Sequence, residues 1–324
     1  MSTDRFQALN DKITELGLFA YWMRPPAEKR PEAWINKWSV IHPLLMEAAE
    51  VVPIELAFRR NMANYQIVMP GEKAAAHRHT ASAMRFVVMG DGSAYTTTNG
   101  EQMFMEPGDL LVQPGWGWHD HTNLGTQPVI WMDMLDNLLV ALLDVEFRED
   151  WPGGEQQPVV HPDGFYSQMY GTMRPARLVG ANQDVPPMSY KFRDAMRMLE
   201  HMAAEEETDP YDGVLLEYTN PVTGGPVTPT LSARVQMLRP GEATRAHRHT
   251  GAVKYHVARG RGVTTVGRGD DVRELDWEDH DMLGIPSWRW HQHRNLSATE
   301  PAILFSVSDA PQAKAFGMYR EENG

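Results

Sequence analysis

The chain of 324 residues contains no cysteine. Disulfides, thiolate metal sites and cysteine nucleophiles are excluded together. A tightly held transition metal must then rely on His, Asp or Glu, which are harder donors than sulfur. Apolar runs of the roughly 20 residues needed to cross a bilayer are also missing. The first dozen residues are polar and of mixed charge, unlike a secretory signal. Basic charge is scarce: 30 Lys and Arg stand against 43 Asp and Glu, a net charge of −13. No basic cluster is present to meet a phosphate backbone. These absences point to a cytoplasmic protein with no nucleic-acid or membrane partner. The 23 prolines and 26 glycines are scattered, and there is no low-complexity stretch or long linker. The length suits two ordinary domains or one large one, ample for a sizeable core.

What is present is a repeat. Residues 70–90 read PGEKAAAHRHTASAMRFVVMG and residues 240–260 read PGEATRAHRHTGAVKYHVARG, identical at 10 of 21 positions. A second pair follows at nearly the same distance, PGWGWHDHTN at 114–123 and PSWRWHQHRN at 286–295. The chain therefore contains one unit twice. Within the unit, short apolar runs such as Asn64–Met69, Met84–Met89, Ala94–Thr98, Leu110–Gln113 and Val129–Leu135 alternate with turn signals, among them Asn99-Gly100 and Pro107-Gly108. This pattern predicts an all-β sandwich or barrel. Helical spacing is confined to the flanks, at Phe6–Trp22 (Phe6, Leu9, Ile13, Leu16) and Tyr190–Met202 (Phe192, Met196, Met198, Leu199).

Each copy carries His-x-His in a strand context, where residues i and i+2 point to one face. His77 and His79 project together, as do His247 and His249. A third histidine, His119 or His291, follows about 40 residues later and can be set opposite by an antiparallel strand. Three neutral imidazoles converging inside a barrel make a divalent metal site with open positions. Six residues beyond His79, Arg85 shares its face, and an arginine inside a barrel needs an anion. His121, two beyond His119, is placed to donate a hydrogen bond or move a proton. Copy two has Tyr255 where copy one has Arg85, and Ser306 where it has Asp133, so the clamp for a carboxylate is expected in copy one alone. His293 answers to His121. Trp116 and Trp118, repeated as Trp288 and Trp290, are read as core or interface packing.

The strings Gly71-x5-His77-x-His79 with Gly90, and Gly108-x5-Pro114-x4-His119-x3-Asn123, resemble the two cupin motifs. Copy two repeats them with His280 in place of the glycine that opens the second motif, the counterpart of Gly108. The glutamate that cupins often add after His-x-His is replaced by Ala83 and Val253, which leaves three-histidine sites. The likeness is to a bicupin, and within bicupins to the gentisate 1,2-dioxygenase family, which includes salicylate and 1-hydroxy-2-naphthoate dioxygenases. PGExxxAHRHTxSAxRF, GDLLVQPGWGWHDH and WMDMLD carry it in copy one, TNPVTGGP and WRWHQHRN in copy two.

The resemblance implies an all-β bicupin: an N-terminal helical segment (1–50), a first, catalytic cupin domain (51–145), a helical connector (146–210) and a second cupin domain with a C-terminal tail (211–324). It implies a non-haem Fe(II) enzyme that uses O2 to open an aromatic 2-hydroxycarboxylate between its carboxyl- and hydroxyl-bearing carbons. His77, His79 and His119 are the expected ligands, with a possible second metal at His247, His249 and His291. Gln66 and Asp133 match family positions at the substrate. Arg59 or Arg60 offers a second carboxylate contact. Met62 and Asn64 depart from the family pattern on the pocket wall, and leave gentisate and substituted salicylates both open. The family also implies a homo-oligomer, tetramer or dimer. The rival reading is a non-catalytic or isomerase-type metal-binding cupin that holds a small organic anion.

Overall fold

Antiparallel pairing accounts for every sheet, as expected for short amphipathic strands joined by tight turns. The computed structural model describes residues 3–20, 32–51, 56–60, 63–170, 185–204 and 208–324; for 3, 19–20, 56–60 and 63–64 only the backbone is described. The chain divides into two compact units, one of residues 1–27, 42–192 and 220–224, the other of 28–41, 193–219 and 225–324. The short strand Trp34–Asn36 thus belongs with the second unit, where it pairs with Met282–Ile285.

The first unit contains two facing sets of strands. One sheet runs Phe19–Ala20, Leu56–Arg60, Ala63–Val68, Val129–Leu135, Ala83–Met89, Leu110–Gln113, Met188–Tyr190. The other runs Arg148–Asp150, Lys73–His79, His119–Asn123, Ala94–Thr98, Glu101–Phe104. Removing the flanking strands leaves the interleaved order of a jelly roll. The second unit repeats it, with Ser232–Leu238, Ala302–Ser308, Val253–Arg259 and Met282–Ile285 in one sheet, and Arg273–Trp277, Gly262–Val266, His291–Asn295 and His247–His249 in the other. The all-β, two-cupin expectation holds.

Local chemistry explains the turns. Asn99 and Gly100 have φ of 48° and 83° and join strands in which Thr98 faces Glu101. Two residues with positive φ make a hairpin loop whose twist matches the strands. At the second motif, Gly108 has φ of 89°, and His280 keeps the same left-handed turn at 69°.

Each barrel has its own apolar core: Val68, Val87, Met103, Leu111 and Trp131 in the first, and Leu238, Val257, Trp277, Leu283 and Leu304 in the second. The segment expected as a helical connector carries strands as well. Arg148–Asp150 returns to pair with Lys73–His79, and Met188–Tyr190 pairs with Leu110–Gln113. Glu101 ties the segment after it down, accepting from the backbone N–H of Gly164 at 2.9 Å and of Tyr166 at 3.0 Å.

Helix Thr3–Glu15 buries Leu9 and Ile13 as its spacing predicts, but ends before Leu16, which is exposed. Gly17, with φ of 65°, donates to the Thr14 carbonyl and terminates it; Trp22 lies outside the described residues. Helix Phe192–Ala203 buries Ala195, Met196 and Leu199 and exposes Met198, one position off the apolar stripe.

Candidate metal centre

His77 and His79 stand at the end of Lys73–His79, and His119 opens the neighbouring strand directly opposite His77. Their ring centroids are 4.2 Å (His77–His119), 4.9 Å (His79–His119) and 5.7 Å (His77–His79) apart. One nitrogen from each lies within 4.8 Å of the other two. The opposite nitrogens are held by the backbone. His77 Nδ1 donates to the Ala75 carbonyl and His79 Nδ1 to the Ala81 carbonyl, each at 2.9 Å. His119 Nδ1 lies 3.1 Å from the Gly117 carbonyl. At His77 and His79 such contacts select the tautomer that leaves Nε2 for a metal. Burial keeps the rings neutral: it pushes His119 well below the usual histidine range and His79 down to about 4. The donor set therefore fits a divalent ion.

The His-x-His strand is clamped from outside through the residue between the ligands. The Arg78 guanidinium stacks 4.4 Å from the Trp116 ring and 4.5 Å from Trp118, and its Nε donates to Glu149 at 2.9 Å. Copy two repeats this with Arg248, Trp288, Trp290 and Glu322. These tryptophans are thus neither core nor fully exposed. They hold an arginine sandwich, a contact that reading them as packing residues missed.

Arg85 is 2% exposed. It is the cross-strand neighbour of Asp133, with Nε 3.4 Å from Asp133 Oδ1. Its Nη1 donates to Gln113 Oε1 at 2.7 Å, and Gln113 Nε2 lies 2.7 Å from His119 Nδ1. A chain of contacts therefore links the guanidinium to the histidine cluster. After burial, the Arg85 charge is a further cause lowering His79, His119 and His121. His121 is buried against Trp131, with ring centroids 4.9 Å apart, and its Nδ1 has no hydrogen-bond partner. Gln66 Oε1 is likewise buried without one.

Asn64 pairs with Asp133 along the backbone, and Arg59 and Arg60 lie on the adjoining strand. Their side chains, and all of Met62, fall outside the described residues. Gln113 was not singled out from sequence. The available signal was its counterpart in the repeat, Ile285, which changes a polar residue for an apolar one.

In the second unit, His247, His249 and His291 converge in the same way, again within 4.8 Å. Tyr255 replaces Arg85, and its ring lies 4.7 Å from His293. His293 Nδ1 is 2.8 Å from Thr264 Oγ1, which also accepts from Trp277 Nε1. A cavity of about 170 Å³ opens on the cluster, lined by Arg234, Ser306 and Asp212 among others. Arg234 occupies the register position of Asn64, since it pairs with Ser306 as Asn64 pairs with Asp133. The comparison of Tyr255 with Arg85 alone overlooked this cation two strands away.

A cupin-domain family model matches residues 64–135 and 234–308. A 5-aminosalicylate 1,2-dioxygenase of Comamonas sp is 37% identical, over 89% of this chain and 81% of its own length. Gentisate 1,2 dioxygenase 1 of Aquipseudomonas alcaligenes is 33% identical, over 98% and 91%. The crystal structure of a salicylate 1,2-dioxygenase from Pseudaminobacter salicylatoxidans matches with a TM-score of 0.78 at 27% identity, covering 100% of this chain and 99% of that one. No described helix is long and apolar enough to cross a membrane.

Proposed function

The chain belongs to the cupin family of gentisate and salicylate 1,2-dioxygenases and is a ring-cleaving dioxygenase, and from that premise we propose that it acts on gentisate or a substituted salicylate. Substituted salicylates here include the 5-nitro and 5-chloro compounds. The bond opened lies between the carboxyl- and hydroxyl-bearing carbons, and O2 is the second substrate. The observation that carries this reading is a three-histidine cluster beside a fully buried guanidinium in the first unit.

Fe(II) held by His77, His79 and His119 would supply the point where substrate and O2 meet and the electron transfer that activates O2. The chain's own residues do the rest. Arg85 binds the substrate carboxylate. Two of its nitrogens face Gln113 and Asp133, and Nη2 has no bond to the protein among the described residues. Asp133 fixes the guanidinium plane and borders the ring edge. His121, kept neutral by burial, accepts the proton of the substrate hydroxyl. Gln66 Oε1, otherwise unpaired, accepts from a ring hydroxyl. Arg60, Met62 and Asn64 form the wall that selects the ring substituent.

We also place the protein in the cytoplasm as a homo-oligomer, tetramer or dimer. Exposed Leu138, Leu142, Leu143 and Phe147 in the first unit, and Phe316 and Met318 in the second, support self-association. Light scattering on the purified chain tests it; a monomer at micromolar concentration would overturn it. The activity is tested by anaerobic loading with Fe(II) and addition of gentisate and salicylates in air. Uptake of one O2 per substrate with growth of a near-ultraviolet product band is expected. Full iron occupancy without turnover of any ortho-hydroxybenzoate would favour the anion-binding cupin instead.

A further inference from the structure

We propose that the second unit holds a divalent metal ion of its own through four protein ligands, His247, His249, His291 and Asp212, a three-histidine, one-carboxylate set with no counterpart among the described residues of the first unit. Asp212 Oδ1 lies 4.0 Å from His247 Nε2. Two donors that each sit about 2.1 Å from one ion are at most about 4.2 Å apart. The carboxylate is therefore close enough to His247 to share an ion with it, and since it stands outside the group of three donors that lie within 4.8 Å of one another, its side chain closes on the ion as the ion binds. His291 points the same way: its Nδ1 is 3.0 Å from the Arg289 carbonyl, while its Nε2 is buried with no hydrogen-bond partner. Asp212, His247 and His249 all line the cavity that opens on the cluster.

The position of Asp212 is built, not incidental. It sits in a turn in which the Gly213 N–H donates to the Asp209 carbonyl at 2.7 Å. The Asp212 N–H donates to Asp209 Oδ1 at 3.0 Å, and buried Gln236 donates from Nε2 to the Asp212 carbonyl at 2.6 Å. The following strand, Val214–Glu217, pairs with its neighbour as Leu56–Arg60 does in the first unit. Counting back two residues from each strand gives Asp212 in one copy and Ile54 in the other. Three imidazoles with one carboxylate suit Mn, Fe, Co, Ni or Zn. The carboxylate also cancels one unit of the ion's charge. That makes the second centre a poorer acceptor for a dianionic chelate than the neutral triad of the first.

The test uses the full chain, stripped of metal and titrated with Co(II). His119→Ala disables the first cluster so that the second is read alone. Two equivalents are expected for the unsubstituted chain, one for His119→Ala, and none for His119→Ala with His291→Ala. In the His119→Ala background, Asp212→Asn is expected to weaken Co(II) binding at least about tenfold and to change the visible cobalt spectrum, while metal-free melting stays at the parent value. If Asp212 only contacts His247 and does not reach the ion, affinity and spectrum stay unchanged and the proposal is wrong. Uptake of a single equivalent by the unsubstituted chain also overturns it. Asp212→Cys gives an independent reading, because the chain has no other thiol. A sulfur-to-cobalt charge-transfer band in the near ultraviolet demonstrates direct ligation, and its absence in folded, cobalt-loaded protein refutes it.

Discussion

Arg85→Met is the most informative single change, because it touches a buried ion pair and the anion site at once. The Arg85 and Asp133 side chains are each 3% exposed and 3.4 Å apart. Methionine fills much of the volume but leaves Asp133 as an uncompensated buried carboxylate, and Gln113 Oε1 loses its donor. Removing one partner of a buried pair costs about 3–5 kcal/mol. For a unit of this size, each kcal/mol shifts the melting temperature by about 2–4 °C, so a fall near 10 °C is expected at pH 7.

Burial already pushes Asp133 above the usual carboxylate range, and Arg85 opposes that shift. Without the arginine the folded-state pKa rises further, so the penalty sets in as pH climbs above the unfolded value and is smallest in acid. The deficit should therefore shrink between pH 7 and pH 5. Asp133→Asn in the same chain should recover much of it, a coupling of about 1–3 kcal/mol. Iron content should be unchanged, while KM for the aromatic acid rises. Strictly additive melting shifts would show that the two groups do not act as a pair. An unchanged kcat/KM would reduce Arg85 to a structural role.

Four further outcomes are expected. Gln113→Ile, the residue of the second copy, strips Arg85 of its buried acceptor; a loss of about 1–2 kcal/mol corresponds to roughly 5- to 30-fold in kcat/KM, and an unchanged value would show the amide idle. His119→Ala should remove iron from the first unit and abolish ring cleavage, and metal analysis showing full occupancy would exclude His119 as a ligand. Arg78→Met gives up two ring stacks and the Glu149 bond; at about 0.5–1 kcal/mol for each stack, a melting shift of a few degrees is expected, and none at all would argue that the sandwich is unstressed decoration. Burial pushes Glu101 from 4.5 up to about 7, so wild-type stability falls as pH rises from about 4.5 to 7 and is flat above. Glu101→Gln removes that slope, and a stability difference in favour of wild type that grew with pH would reverse the argument.

Residues that act along one strand were legible without coordinates. His-x-His with a third histidine on a partner strand follows from the two-residue period of the pleat; Arg85 was reached by extending that period six residues on, but the strand ends at His79 and Arg85 enters the interior from Ala83–Met89 in the opposite sheet. Asn99-Gly100 declared its turn because only a few residue types accept positive φ at successive positions. The helix Thr3–Glu15 showed its buried face through Leu9 and Ile13, but its end depended on how Gly17 folds back, which periodicity does not carry. The arginine stacked on the tryptophans was not legible for a related reason. An alternating apolar pattern predicts which side a ring faces, not that an arginine from the neighbouring strand will cover it.

Contacts made across strands, at sequence distances unrelated to any period, were the ones not legible. Gln113 reaches Arg85 and His119 because the strands Ala83–Met89, Leu110–Gln113 and His119–Asn123 bring their ends together. Comparing the two copies position by position suggested a second pocket without a cation, since Tyr255 stands where Arg85 does. A barrel interior, however, is shared by strands from different parts of the chain, so a guanidinium lost on one strand can reappear two strands over, as Arg234 does opposite Ser306. Asp212 is the same effect for a ligand: the carboxylate absent after His-x-His arrives from a turn 35 residues before His247. The repeat thus preserves backbone and imidazoles more strictly than charge. The first unit keeps its triad neutral and surrounds it with a buried cation, which favours a doubly charged aromatic chelate. The second sets a carboxylate beside the triad and moves its cation to a more open wall. Two centres with one ancestry would then differ by about one unit of charge at the ion, enough in a low-dielectric pocket to decide which of them accepts a dianion.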